Sequence, residues 1–328
     1  MSNKAQRKNT FALSFARFRY TLLPENELYL PLSKRGHILR GAFGSSLRNL
    51  VCTQHKTLCR ECPVKNNCPY FLIFSPHSMD GPLRLRDTPR GFVIKPSLEK
   101  EDTFTRDRPF AFDIVLFGNR IPYHPWILVP VQTLGSVGIG PRRDRFTIFN
   151  IEALRGDEAL SIYDPNTRLV QNVELKFNPV ENSGKWETYD RQKITLEFLT
   201  PTRIRYNPTG EKGGSKVVRV PEFHHLLKRL RDRINALAAV YGDGPLKVDF
   251  KGLGSRAEAV KIAESHISWV EIKRKSRTQG IWHDQSGFVG QITYTGHLEE
   301  FLPFLLMGEF VHVGEDAVFG NGWFRIVE

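Results

Sequence analysis

Glycines at 308, 314, 320 and 322 lie between an apolar run ending at Met307 and the strand-like Phe324-Arg325-Ile326-Val327, and this stretch constrains the chain more than any other. Without a Cβ the backbone reaches positive φ freely, so it turns sharply and a neighbour can approach its N–H groups. No Lys-Ser/Thr follows the glycines and the order is helix, loop, strand, which excludes a Walker-type phosphate loop and a dinucleotide fingerprint. The same grammar recurs from Trp126 to Phe149. There Ile127, Leu128, Val129, Val131 and Leu134 precede Gly135, Gly138 and Gly140, and a basic stretch leads into Phe146-Thr147-Ile148-Phe149. Taken singly, each loop reads equally as a hairpin that closes a sheet. Two distant copies predict an internal duplication.

At 328 residues there is room for two cores. Forty-seven Lys and Arg stand against 35 Asp and Glu, a formal net charge of +12, which calls for a polyanionic partner, nucleic acid first. No apolar run reaches the roughly 18 residues that span a bilayer, and the polar start from Met1 to Lys8 lacks the apolar core of a signal peptide. The expectation is a cytoplasmic protein with no membrane contact.

The four cysteines are Cys52, Cys59, Cys62 and Cys68. Thiolates clustered this closely can complete a tetrahedral zinc shell, and a closed four-sulfur shell leaves no open position, so such a zinc is structural and not catalytic. The outer spacings are not those of a standard finger, which leaves four reduced, buried thiols as the alternative.

Phe11, Leu13 and Phe15, then Ala16, Phe18 and Tyr20 alternating with Arg17 and Arg19, predict a first strand. Leu39, Ala42, Phe43, Leu47 and Leu50 predict a helix from Arg35 to Val51, in which Gly36, Gly41 and Gly44 leave room for another backbone or an RNA phosphate. Strands are expected at 92–96, 110–117, 145–152 and 168–177, with a helix at Trp126 to Leu134 that Pro130 kinks or shortens. The second half offers a strand around Ile194 to Phe198, a basic glycine-rich loop from Arg203 to Arg219, and a helix opened by Pro221. Strands at 246–250, 266–274 and 288–295 and a helix from about Leu298 to Met307 complete it. The fold class is therefore α+β: two tandem ferredoxin-like (RRM-like, βαββαβ) domains at 10–182 and 186–328, with a four-cysteine knuckle at 52–68 in the first. A basic open sheet face suits RNA.

Leu39-Arg40-Gly41-Ala42-Phe43-Gly44, the cysteine cluster running into Cys68-Pro69-Tyr70, and Gly135-x-x-Gly138-Ile139-Gly140 together resemble the CRISPR-associated RAMP endoribonucleases that process precursor CRISPR RNA. Thr200-Pro201-Thr202-Arg203, Lys273 to Gln279, Gly287-Phe288-Val289-Gly290 and the terminal glycine loop carry the resemblance along nearly the whole chain. It implies a prokaryotic protein that cuts CRISPR repeat RNA to mature guide RNA without a catalytic metal. The ribose 2′-OH attacks, leaving a 2′,3′-cyclic phosphate and a 5′-OH. It also implies a general base on or beside the first helix: His37 here, with Tyr29 and Lys34 assisting and Arg40 close enough to steady the phosphate. Relatives often show Gly-Ala-Phe-Gly-His, where this chain has Ser45 after Gly44. That departure leaves His224 and His225 as other candidates. It also keeps a second class open, a non-catalytic RAMP subunit that binds guide RNA beside other CRISPR effector subunits. Arg40, Arg142, Arg143, Arg274 and Arg277, with the glycine-loop amides around Gly314, Gly320 and Gly322, are the expected RNA contacts.

Overall fold

The computed structural model describes Phe11 and residues 13–76, 88–171, 173, 176–182, 188–275 and 282–327. The chain divides into two compact units, one of 12–178 with 236–245 and the other of the remainder.

In the first unit β1 (Phe15–Pro24) buries Ala16, Phe18, Tyr20 and Leu22 and leaves Arg17, Arg19 and Thr21 partly open, the alternation a pleated strand imposes. After it come α1 (Arg35–Val51), α2 (Pro69–Phe74), β2 (Phe92–Lys95), β3 (Phe110–Phe117), α3 (Pro125–Val137), β4 (Phe146–Arg155) and β5 (Glu158–Ser161). The sheet runs β2-β3-β1-β4-β5, antiparallel throughout. Leu22 of β1, Leu39 and Phe43 of α1, and Val131 and Leu134 of α3 line one small void, so both helices pack on the same side of the sheet. On the other side Arg17 and Arg19 both pair with Asp113 across the β1–β3 register. Burial alone would push the Asp113 carboxyl up, but the two guanidiniums reverse this and hold it below the usual carboxylate range.

The second unit contains β6 (Lys193–Thr202), β7 (Ile204–Tyr206), β8 (Lys216–Val218), α4 (Phe223–Tyr241) as far as Asn235, α5 (Phe250–Ala257) and β9 (Lys261–Val270). It continues with β10 (Lys273–Lys275), β11 (Trp282–Asp284), β12 (Gly287–Thr295), α6 (Leu302–Val311) and β13 (Phe324–Val327). Its main sheet runs β9-β12-β6-β13, again antiparallel. Phe223 at the start of α4 packs edge-on against Tyr294 and Phe301, seating the helix on the sheet.

Four expected elements differ, the first being the strand expected at 266–274, which divides between β9 and β10 in separate sheets. Pro130 does not shorten its helix, since α3 continues to Val137. Inside the helix, Pro130 forfeits the bond to the Trp126 carbonyl, while its own carbonyl accepts from Ser46 Oγ at 3.1 Å. The 246–250 stretch leads into α5 instead of forming a strand, because Asp249 caps the helix by accepting from the Gly252 N–H at 3.0 Å. The 168–177 strand contracts to a two-residue ladder, Leu169–Val170 with Tyr163–Asp164, and a bridge from Phe177 to Phe15. The Asp164 side chain turns the chain by accepting from Asn166 N and Thr167 Oγ1.

The duplicated pattern is visible in the packing. Gly135 in α3 lies against the backbone of Phe146, the first residue of β4, and Gly308 in α6 lies against the ring of Phe324, the first residue of β13. In each unit, then, the third numbered helix approaches the start of the strand that follows it through a glycine. A Cβ at Gly135 would lie 2.5 Å from the Phe146 carbonyl oxygen, and one at Gly308 would overlap the Phe324 ring and come within 2.9 Å of Leu230. Alanine favours a helix over glycine by about 1 kcal/mol, yet Gly135→Ala and Gly308→Ala should each destabilise by about 1–3 kcal/mol. The Gly135 change should cost more because a backbone carbonyl cannot rotate away. Urea unfolding of both variants checks this; a raised midpoint in either would remove the close approach as the reason for glycine.

Candidate functional site

The entrance to α1 is built around Arg35, which has no exposed surface. Its guanidinium donates to four backbone carbonyls: Leu30 at 3.0 Å, Ser97 at 2.8 Å, Glu99 at 2.9 Å and Glu101 at 2.6 Å. It also stacks over Phe104 at 5.0 Å. Burial draws its pKa down, opposed by the nearby carboxylates of Asp102, Glu99 and Glu101. Asp102 completes the clamp, its carbonyl accepting from Leu30 N and its carboxylate from Leu32 N. The segment leading into the helix is thus fixed at both ends.

Tyr29 belongs to this fixed segment. Its backbone N–H donates to Asp144 Oδ2 at 2.8 Å, and the Arg142 guanidinium lies 4.4 Å from its ring centroid. The first glycine loop is itself closed by paired bonds between Ile139 and Asp144, and Gly140 brings it against the Tyr29 carbonyl, 3.1 Å from where a Cβ would sit. Tyr29 and Arg142, proposed from sequence for different duties, therefore stand together. Exposed Lys34 is the residue before α1 and half-buried His37 is in its first turn. That turn carries N–H groups and a dipole suited to an anion.

The other expected contacts separate from this group. The Arg40 guanidinium lies 4.2 Å over the Phe74 ring of α2, and Ser45 is exposed. Gly44 admits that same ring, so this glycine serves helix packing and not the approach of a phosphate, while no neighbour lies within 4 Å of a Cβ at Gly41. Arg143 is exposed in a left-handed conformation, φ 56°. Arg274 lies in β10, and Arg277 lies outside the described residues.

The terminal glycine loop is a structural closure. Gly314 lies against the Arg203 carbonyl and Gly322 against the Val313 carbonyl, both at positive φ where a Cβ would clash. The amides of Gly320 and Gly322 donate to Ala317 O and Pro201 O, and Trp323 N donates to Thr200 Oγ1. The expectation that the Gly320 and Gly322 amides greet a phosphate is corrected: they are spent inside the fold. Sequence showed the glycines but not their partners.

His224 and His225 open α4 and form a second aromatic group with Tyr206, their centroids 5.6 and 4.2 Å from its ring. Burial, then His224 and Lys228, bring the His225 pKa down to about 4, so its ring is neutral near pH 7. The grouping was missed in the sequence because Tyr206 is separated from the histidines by the β7–β8 hairpin.

The cysteines are all free and half-buried. Burial raises the Cys59 thiol pKa, with Cys52, Cys68 and Cys62 adding to the effect against Arg48. Among the described residues, however, no group of three or more His, Cys, Asp or Glu is placed to hold a metal ion.

Residues 196–324 match the family model of the CRISPR-associated endoribonuclease Cas6. That match lies largely in the second unit. Residues 13–175 match a further model described as an N-terminal domain. The resemblance of the chain to CRISPR-associated RAMP-type ribonucleases therefore holds. An uncharacterized protein of Archaeoglobus fulgidus is 27% identical over 300 residues, which span 89% of this chain and 91% of that one. A Thermus thermophilus Cas6 product complex matches 95% of this chain and 99% of its own at 13% identity, with a TM-score of 0.56. One chain of a partial Cas6-RT-Cas1–Cas2 complex matches 96% of this chain and 46% of its own at 11% identity, with a TM-score of 0.58. At these identities the two structural likenesses are of fold, a mixed α/β arrangement with antiparallel sheets. No helix among the described residues is long and apolar enough to cross a membrane.

The Arg35 clamp makes a direct prediction. Arg35→Met keeps the apolar stem but leaves four carbonyls without their donor, and should cost roughly 3 kcal/mol or more in urea unfolding. An unchanged midpoint would mean that water replaces the guanidinium without loss.

Proposed function

We propose that the chain is a metal-independent endoribonuclease that cleaves CRISPR repeat RNA to guide RNA. The observation that carries this reading is the Cas6 match over 196–324. The fold likeness to a Cas6 product complex supports it, as does the strand order. In each unit the first strand lies between the third and the fourth, with the second at the edge beyond the third, which we read as tandem ferredoxin-like domains. The likeness to a chain of a Cas6-RT-Cas1–Cas2 complex makes other CRISPR proteins candidate partners.

In the proposed reaction His37 takes the proton of the ribose 2′-OH as its oxygen attacks the adjacent phosphorus. The bond to the 5′ oxygen breaks, that oxygen gains a proton, and a 2′,3′-cyclic phosphate is left. Tyr29, held by Asp144 and covered by Arg142, orients the hydroxyl, while Lys34 and the first turn of α1 meet the charge that grows on the phosphate. Cleavage of the cognate repeat should proceed in EDTA and stop when the 2′-OH at the cut is replaced by hydrogen. His37→Ala should slow it about a hundredfold or more with RNA affinity nearly unchanged. Normal cleavage by His37→Ala would move the base to the Tyr206–His224–His225 group. A wild type that binds the repeat and never cuts it would make the chain the guide-binding subunit.

Structural zinc is a separate proposal, carried by the clustering of Cys52, Cys59, Cys62 and Cys68 in one short stretch. Metal analysis of protein purified without added zinc should find about one equivalent, lost on Cys59→Ser and Cys62→Ser. Well under one equivalent would leave four reduced thiols.

A further inference from the structure

The β10–β11 hairpin is a small sheet of its own, outside the four-stranded sheet of its unit. Trp282, Asp284 and the residue between them, His283, are all exposed, and Trp282 at 64% is more exposed than any other Trp or Phe among the described residues. Burying a ring of this size would stabilise the fold by roughly 1.5–3 kcal/mol; left in water, Trp282 adds little of that. Folding does not explain the residue.

The root of the hairpin, by contrast, is firmly fastened. Gln285 N donates to Ile272 O at 2.8 Å, Ile272 N to Ser286 Oγ at 3.0 Å, and Ser286 N to Asp284 Oδ1 at 3.0 Å. Arg203, only 7% exposed, donates through Nη1 to the Ser286 carbonyl at 3.0 Å and pairs through Nη2 with Asp284 at 3.0 Å. Its Nε faces Glu315 of the terminal glycine loop at 3.0 Å. One buried guanidinium thus ties the hairpin to the loop that closes the sheet. The exposed Lys273 stands opposite Asp284 in the ladder, and the register partner of Trp282 is Lys275.

An aromatic face held in water on a fastened arm that also carries the exposed Lys273 has the chemistry of a single-strand nucleic-acid contact. The ring stacks on a base while cations meet the backbone, and each stacked base contributes about 1–3 kcal/mol. A duplex offers such a ring little, because its base faces already cover one another. We propose that Trp282 is a stacking platform for an unpaired nucleobase of bound RNA, on an arm that Arg203 holds in place. This rests on the RNA reading above and adds a residue and a substrate feature to it.

The test compares two probes on the full chain, a short single-stranded oligoadenylate and a blunt RNA duplex of equal length. Trp282→Ala should weaken oligoadenylate binding about tenfold, leave duplex binding within about twofold, and leave the salt slope unchanged because no phosphate contact is lost. Trp282→Phe should recover most of the affinity, and the thermal midpoint of both variants should match the wild type. Equal losses on both probes, or no loss on either, overturns the stacking role. A wild type that binds neither probe overturns the RNA reading itself, and the stacking role with it.

Discussion

A guanidinium with no exposed surface holds the start of the first helix. Arg35 gathers the carbonyls of Leu30, Ser97, Glu99 and Glu101, so the segment that enters α1 and the segment that precedes β3 are fastened through one side chain. Arginine suits this duty because it keeps its charge when buried and presents five donors in a fixed plane. Everything proposed for catalysis hangs from this point. Tyr29 lies just before it, Lys34 and His37 flank it, and Arg142 arrives on the glycine loop that packs against Tyr29.

The same interaction changes what the net charge of +12 means. On α4 the guanidiniums of Arg229, Arg231 and Arg233 donate to the carbonyls of Arg205, Phe250 and Val311. Arg120 reaches Leu72, and Arg203 reaches Ser286. These cations end the chain's own backbone bonds and are not a surface held ready for phosphate. The charge left for a polyanion is concentrated in exposed residues such as Lys34, Arg142, Arg143, Lys228 and Lys273.

How much could be read in advance follows from the range of each interaction. Helix α1 and strand β3 were legible to the residue because their apolar spacing is local and long enough to be unambiguous. Asp249 and Asp164 defeated strand assignments through local side-chain bonds that no periodicity records. In the candidate site, His37, Tyr29 and Lys34 were named from their place near the first helix, but the meeting of Tyr29 with Arg142 and Asp144 spans a sequence separation of more than a hundred residues. Arg35 looked like one more cation of a basic helix. The carbonyls around it distinguish it from Arg40, and three of the four come from the stretch before β3.

The glycine loops show where sequence salience and function part. Helix α3 ends at Gly138, φ 86° and ψ 154°, and α6 ends in nearly the same conformation at His312, φ 62° and ψ 171°, a region that is almost glycine's alone. A histidine can be kept there only if its surroundings over-determine it. They do: the ring has no exposed surface, Nδ1 lies 3.2 Å from the Asn321 carbonyl, and Trp323 lies parallel to it. The second copy of the loop has thus filled with its own side chains and bonded its amides inward, while the first copy still presents Arg142 and Arg143 to solvent. A duplication read as two equivalent contact loops is better understood as one loop that closes a sheet and one that delivers a cation to Tyr29.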